Sequence, residues 1–209
     1  MSTTLRRAAL ATALTGALAG ALGLTTVGSA GAATFYKPDP AGDVVSMEFQ
    51  PDANQPAVIT PAPGRPVGDI VKIKSVHSAH QVAVKVWFND LTQRNDGNAG
   101  FLEVRTDTGR YRLAELDAGP GHWGGGVTVD DGEGGAPEHC ATRHVIDYEA
   151  NTVVLGFSRA CLGNPRWVRM GFIGVTYADE VAYVDDARQT GYSGEDYTSP
   201  KLGGRTYRG

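Results

Sequence analysis

The feature that most constrains this chain is apolar residues recurring at every second position, with no run of three helical turns anywhere. Gln81 to Leu91 is the clearest case: Val82, Val84, Val86 and Phe88 alternate with Ala83, Lys85, Trp87 and Asn89. Side chains of a strand point alternately to its two faces, so this pattern gives one buried and one mixed face. Further strand-length runs follow the same logic. Asp69 to Ser78 carries Ile70, Val71, Ile73 and Val76 and turns back at Ser78-Ala79-His80. Phe101–Thr106 and Arg110–Leu116 flank Asp107-Thr108-Gly109 as a hairpin. Val127–Asp130, His139–Ile146, Thr152–Ser158 and Trp167–Tyr177 complete the set, with Ser158 capping one helical turn that Gly163 and Pro165 end. Strands divided by turn signals such as Asn95-Asp96-Gly97-Asn98 predict an all-β, single-domain antiparallel β-sandwich, jelly-roll-like.

The ends read differently. Residues 1–32 have Arg6 and Arg7, then Ala, Leu, Gly and Val, then Ala30-Gly31-Ala32, the order of a secretory signal peptide with its cleavage site. An uncleaved anchor is the alternative, but the stretch is broken by Thr12, Thr15, Gly16, Gly20, Gly23 and Gly28. The adjacent arginines lack the surroundings of a twin-arginine signal. Residues 33–66 form a proline-rich arm, from Pro38 to Pro66, in which only Val44–Phe49 reads as a strand. Missing donors confine such an arm to an edge or a wrapping loop. Residues 67–184 are the expected core, and 185–209 a polar, glycine-rich tail, loose or docked.

Removal of the signal takes two arginines with it, so the charge of −4 becomes −6 over the 177 remaining residues. An acidic exported domain repels phosphate backbones, which excludes nucleic acid as a partner. No integral membrane segment is expected in the mature chain. Cys140 and Cys161 are the only cysteines, and an oxidising compartment pairs them as a structural disulfide. A free nucleophile or redox pair lacks a C-x-x-C or an adjacent base.

The chain resembles a family of secreted proteins of actinobacteria through Asp39-Pro40-Ala41-Gly42-Asp43-Val44, Gly68-Asp69-Ile70, Gly119-Pro120-Gly121-His122-Trp123 and Cys161-Leu162-Gly163-Asn164-Pro165-Arg166-Trp167-Val168-Arg169. The opening Asp-x-x-Gly-Asp with the later Asp-Ile is also similar to the start of DOMON and family 9 carbohydrate-binding modules. The second resemblance implies a β-sandwich that binds a ligand or sugar, sometimes with structural calcium.

Catalytic motifs are absent: no H-E-x-x-H, no P-loop, and Gly191-Tyr192-Ser193-Gly194-Glu195 lacks the last glycine of a nucleophile elbow. The five histidines, among them His77, His80, His122, His139 and His144, show no zinc spacing. Asp39, Asp43 and Asp69 offer hard oxygen ligands for calcium, the one cofactor considered, unless they only form Asx turns or bond backbone amides. Asp130, Asp131 and Glu133 make a second acidic loop. Asp90 and Asp96 raise glycoside hydrolysis, which requires two carboxylates across a cleft. Trp87, Trp123 and Trp167 are candidate ligand-stacking residues if two share an exposed face; otherwise they cover a second apolar layer. The expectation is therefore a secreted, non-catalytic sandwich binding an extracellular ligand such as a glycan or cell-envelope material. A secreted hydrolase with an unrecognised site is the alternative.

Overall fold

The structure is a computed structural model that describes residues 32–50, 55–133, 135, 140–192, 197 and 199–209. Residues 1–31 of the signal segment, His139 and Ser193-Gly194-Glu195 therefore lie outside the described residues. The strands are β1 (Ala33–Pro38), β2 (Val45–Glu48), β3 (Val58–Pro61), β4 (Ile70–His77), β5 (Gln81–Phe88), β6 (Gly97–Thr106) and β7 (Tyr111–Ala118), followed by β8 (Gly126–Asp130), β9 (Thr142–Asp147), β10 (Thr152–Ser158), β11 (Trp167–Ala178), β12 (Val181–Asp186) and β13 (Thr206–Tyr207). Among the described residues there is a single 3-10 turn, Arg159–Leu162, N-capped by the Ser158 hydroxyl and closed by Gly163 at φ 74°, as its sequence predicts.

Two antiparallel sheets pack face to face. The first has the order β1-β4-β5-β10-β9, and the second β3-β2-β12-β11-β6-β7-β8 with β13 added to β11. The fold is the expected β-sandwich. Its alternation places Ile73, Val82, Val84, Val86 and Leu155 of the first sheet against Leu102, Val104, Met170 and Phe172 of the second, all buried. Each such side chain contributes on the order of 2 kcal/mol by leaving water. Two glycines allow the close approaches: a Cβ on Gly156 would stand 2.5 Å from that of Ala83, and one on Gly100 would meet the Phe172 ring at 2.8 Å.

The arm holds three strands rather than one. β1 and β3 were not legible because Pro38 and Pro61 flank short runs, yet both are edge strands, where proline is tolerated. The region after Tyr177 also differs from expectation. β11 turns into β12 through Asp179 and Glu180, both at positive φ, a two-residue loop made without the usual glycine or asparagine. The tail is docked. Arg188 is buried between the layers, donating from Nε to Met170 O at 3.0 Å and from Nη2 to Ser75 Oγ at 2.8 Å. Burial lowers its pKa, opposed by Asp186 and Asp39.

Cys140 and Cys161 are bonded. No helix among the described residues is long and apolar enough to cross a membrane.

Candidate metal centre

Three carboxylates converge where the arm meets the rim of both sheets. One oxygen each of Asp39, Asp43 and Asp185 lies within 4.8 Å of the others. The local sequence explains the first two. Pro38 ends β1, and Asp39 N still donates to Val71 O at 3.0 Å. The chain then reverses at Ala41-Gly42, with Gly42 at φ 86° and a Cβ there 3.0 Å from Pro63 O. Only glycine takes that backbone without strain. The reversal folds Asp43 back beside Asp39 before Val44 and Val45 enter the core.

Asp185 arrives from β12. Its register partner is Gly174, so it faces the first sheet, and its Oδ2 accepts from Ile70 N at 2.6 Å. Asp69, the third ligand suggested by the sequence, stands beside the cluster and has other work. Its Oδ1 accepts from Gly42 N at 2.9 Å and its Oδ2 from Asn89 Nδ2 at 3.2 Å, which ties the arm to the start of β4. The sequence signal for Asp185 was the pair Asp185-Asp186 closing the run Val181–Val184, easily taken as the start of a polar tail.

Several oxygens of the cluster are buried without a hydrogen-bond donor. The Asp39 side chain is 0% exposed, and neither of its oxygens accepts a hydrogen bond. Asp43 Oδ1 is likewise buried without a donor, while its Oδ2 accepts from Gly191 N at 3.0 Å. Lys37 Nζ stands 3.6 Å from Asp39 Oδ1. Burial, and then Asp43, push Asp39 up to about 8 despite Lys37. Burial also raises Asp185 to about 9, the Ile70 amide opposing and Asp39, Asp43 and Asp69 adding to it. Asp43 is raised by burial as well. When ionised, Asp39, Asp43 and Asp185, with Asp69 and Asp186 close by, outnumber the cations Lys37 and Arg188, an excess of negative charge that a bound cation offsets. Calcium takes oxygen ligands at about 2.3–2.6 Å, so oxygens within 4.8 Å of one another can share one ion.

The other sequence candidates fall elsewhere. Trp87 and Trp167 project from the outer faces of opposite sheets, so they form no common platform. Arg205 lies 4.5 Å over the Trp167 ring. Trp123 meets Tyr148 edge-on at 6.0 Å and its carbonyl accepts the Tyr148 hydroxyl. His77 is buried with Nδ1 3.0 Å from Thr206 O, whereas His80 is exposed, so they do not converge. His122 meets Asp117 at 3.0 Å and His144 meets Gly124 O at 3.1 Å. In the second acidic loop the carboxylates bind their own backbone: Asp131 Oδ1 accepts from Glu133 N and Gly135 N, and Asp130 from Gly132 N. Asp90 and Asp96 line one open groove of about 370 Å³, with Arg65, Arg94 and Asp179.

No family model matches the chain, and no curated protein or solved structure is significantly similar to it.

Proposed function

We propose that this chain is a secreted, non-catalytic β-sandwich that acts as an extracellular binding module and holds a calcium ion on Asp39, Asp43 and Asp185. The observation that carries the metal is the buried Asp39 carboxylate, neither of whose oxygens accepts a hydrogen bond and one of which converges with oxygens of Asp43 and Asp185. Leaving such a group uncompensated is costly, and a cation removes the cost at one stroke. The ion would cross-link the arm, through Asp39 and Asp43, to β12, and Asp185 already bonds the first residue of β4. Calcium thus serves the fold and the loops around it. Asp39 and Asp185 are buried and Asp43 is half-buried, so the cluster presents little carboxylate surface to a substrate.

Secretion rests on the signal-like residues 1–32 and agrees with the bonded cysteine pair. The binding role rests on the similarity of Asp39–Val44 and Asp69-Ile70 to DOMON and family 9 carbohydrate-binding modules. Thermal unfolding of the metal-stripped mature protein with and without calcium tests the ion: a rise that EDTA reverses supports it, and an unchanged melting temperature overturns it. Retention on a panel of polysaccharides tests the binding role, and failure on every one overturns it.

A secreted hydrolase is the second reading, favoured by the shared groove of Asp90 and Asp96. Hydrolysis of a glycan by the wild type but not by Asp90→Asn or Asp96→Asn would replace the first reading with this one.

A further inference from the structure

We infer that the outer face of the first sheet binds an acidic polysaccharide through Lys72, Lys74 and Lys85, arrayed around Trp87 and Tyr36. The inference rests on the reading of the chain as an extracellular binding module, which supplies the class of partner. The face itself comes from the strand registers. Ile73 and Val86 pair across β4 and β5 and point into the core. Their neighbours in register, Lys72 with Trp87 and Lys74 with Lys85, therefore point outward. Tyr36 of β1 lies opposite Lys74 on the same side and is 54% exposed.

Two features set these lysines apart from an ordinary solvated face. Lys74 and Lys85 are directly opposed, an arrangement of like charges that destabilises a sheet. None of the three forms an ion pair with a carboxylate among the described residues. Instead the ammonium groups rest on rings: Lys72 Nζ is 4.0 Å and Lys85 Nζ 5.1 Å from the centre of Trp87, and Lys74 Nζ is 5.0 Å from that of Tyr36. Cation–π contact holds them in place, so less side-chain freedom is lost when an anion arrives. Continuing the registers across β10 and β9 adds Thr152, Val154, Gly156, Arg143, Val145 and Asp147 to this face. Four cations thus stand against one carboxylate, and Asp147 lies at the far edge, three strands from Lys72.

Charge complementarity selects the occupant. The face is a cationic patch on a chain of net charge −4. A rigid duplex would bring its phosphates against the acidic remainder, whereas a single flexible sugar chain can follow the flat sheet. Sugar carboxylates would meet the ammonium groups, spaced about 5–8 Å apart by the sheet lattice. The exposed Tyr36 ring offers an apolar surface to a pyranose face.

The test uses mature protein (residues 33–209) in EDTA, so that calcium cannot bridge the polymer, with polygalacturonate as the probe and circular dichroism to establish folding. Affinity electrophoresis and calorimetry should show binding that weakens with salt and falls about tenfold or more in Lys72→Gln/Lys74→Gln/Lys85→Gln. Lys201→Gln, an exposed lysine outside this face, should bind as the wild type does. Absence of binding by folded wild type, wild-type affinity in the triple variant, equal binding of the fully methyl-esterified polymer, or equal binding of duplex DNA would each overturn the inference. Retention on neutral polysaccharides with none on polygalacturonate would overturn it while leaving the binding-module reading standing. The calcium melt is a separate readout and does not depend on this face.

Discussion

Replacing Asp39 by asparagine separates a metal ligand from an ordinary buried acid. In the metal-free native state the Asp39 carboxyl is pushed up to about 8, chiefly by burial, from an ordinary value of 3.8. The native state thus binds the proton more tightly than the unfolded chain, and metal-free stability falls as pH rises from about 4 to about 8. At pH 7 that loss is about 4 kcal/mol at this residue. Asparagine does not titrate, so the variant escapes this loss, less the cost of leaving Lys37 without its carboxylate. Calcium acts in the opposite direction. At a concentration a hundred times its dissociation constant it stabilises the wild type by about 2.7 kcal/mol, or roughly 5–11 °C for a domain of this size. Differential scanning fluorimetry at pH 7 should show that rise in the wild type and under about 2 °C in Asp39→Asn. The metal-free variant should melt no lower than the metal-free wild type. An equal calcium shift in both proteins, or a metal-free variant that melts well below the wild type, would refute the reasoning.

Three further outcomes follow from the fold. Cys140→Ser/Cys161→Ser opens a loop of 21 residue steps, worth on the order of 3 kcal/mol, and should lower the melting temperature by roughly 6–12 °C. Gly171→Ala sets a Cβ 2.6 Å from Lys201 O, so the docked tail must shift; a loss of about 1–3 kcal/mol in denaturant unfolding is expected, with faster proteolysis after Arg188. Burial holds His77 below 6.5, helped by Arg159 and Arg208 and opposed by Thr206 O and Asp107. Its stabilising contribution is present above pH 6.5 and lost as pH falls toward the native value, so calcium-saturated His77→Gln should show a shallower decline between pH 6.5 and 5. A decline as steep as that of the wild type would contradict this.

The central strands were legible because both of their faces are written in the sequence. Val82, Val84, Val86 and Phe88 announce β5, and Thr152–Ser158 matches β10 to the residue. What escaped was decided by tertiary pairing. β1 and β3 are short, flanked by prolines and held by one neighbour each, so their local signal is weak. β12 escaped because Asp179 and Glu180 make its turn at positive φ without glycine. The candidate site divides in the same way. Asp39 and Asp43 sit four apart around Gly42, a spacing the sequence displays. Asp185 is 142 residues further along than Asp43 and joins them only because β12 pairs with β2. Asp69 was named for its place before Ile70, and that place is a hydrogen-bonding bracket for the arm. The lysine face needed registers, since neither β4 nor β5 alone shows that Lys74 opposes Lys85.

The central claim is that Asp39, Asp43 and Asp185 hold one calcium ion. A crystal structure of the mature protein grown with calcium tests it most directly. The account predicts a single density peak with calcium's anomalous signal about 2.3–2.6 Å from an oxygen of each of the three carboxylates. Calcium-grown crystals in which the three carboxylates share only protons or water would contradict it.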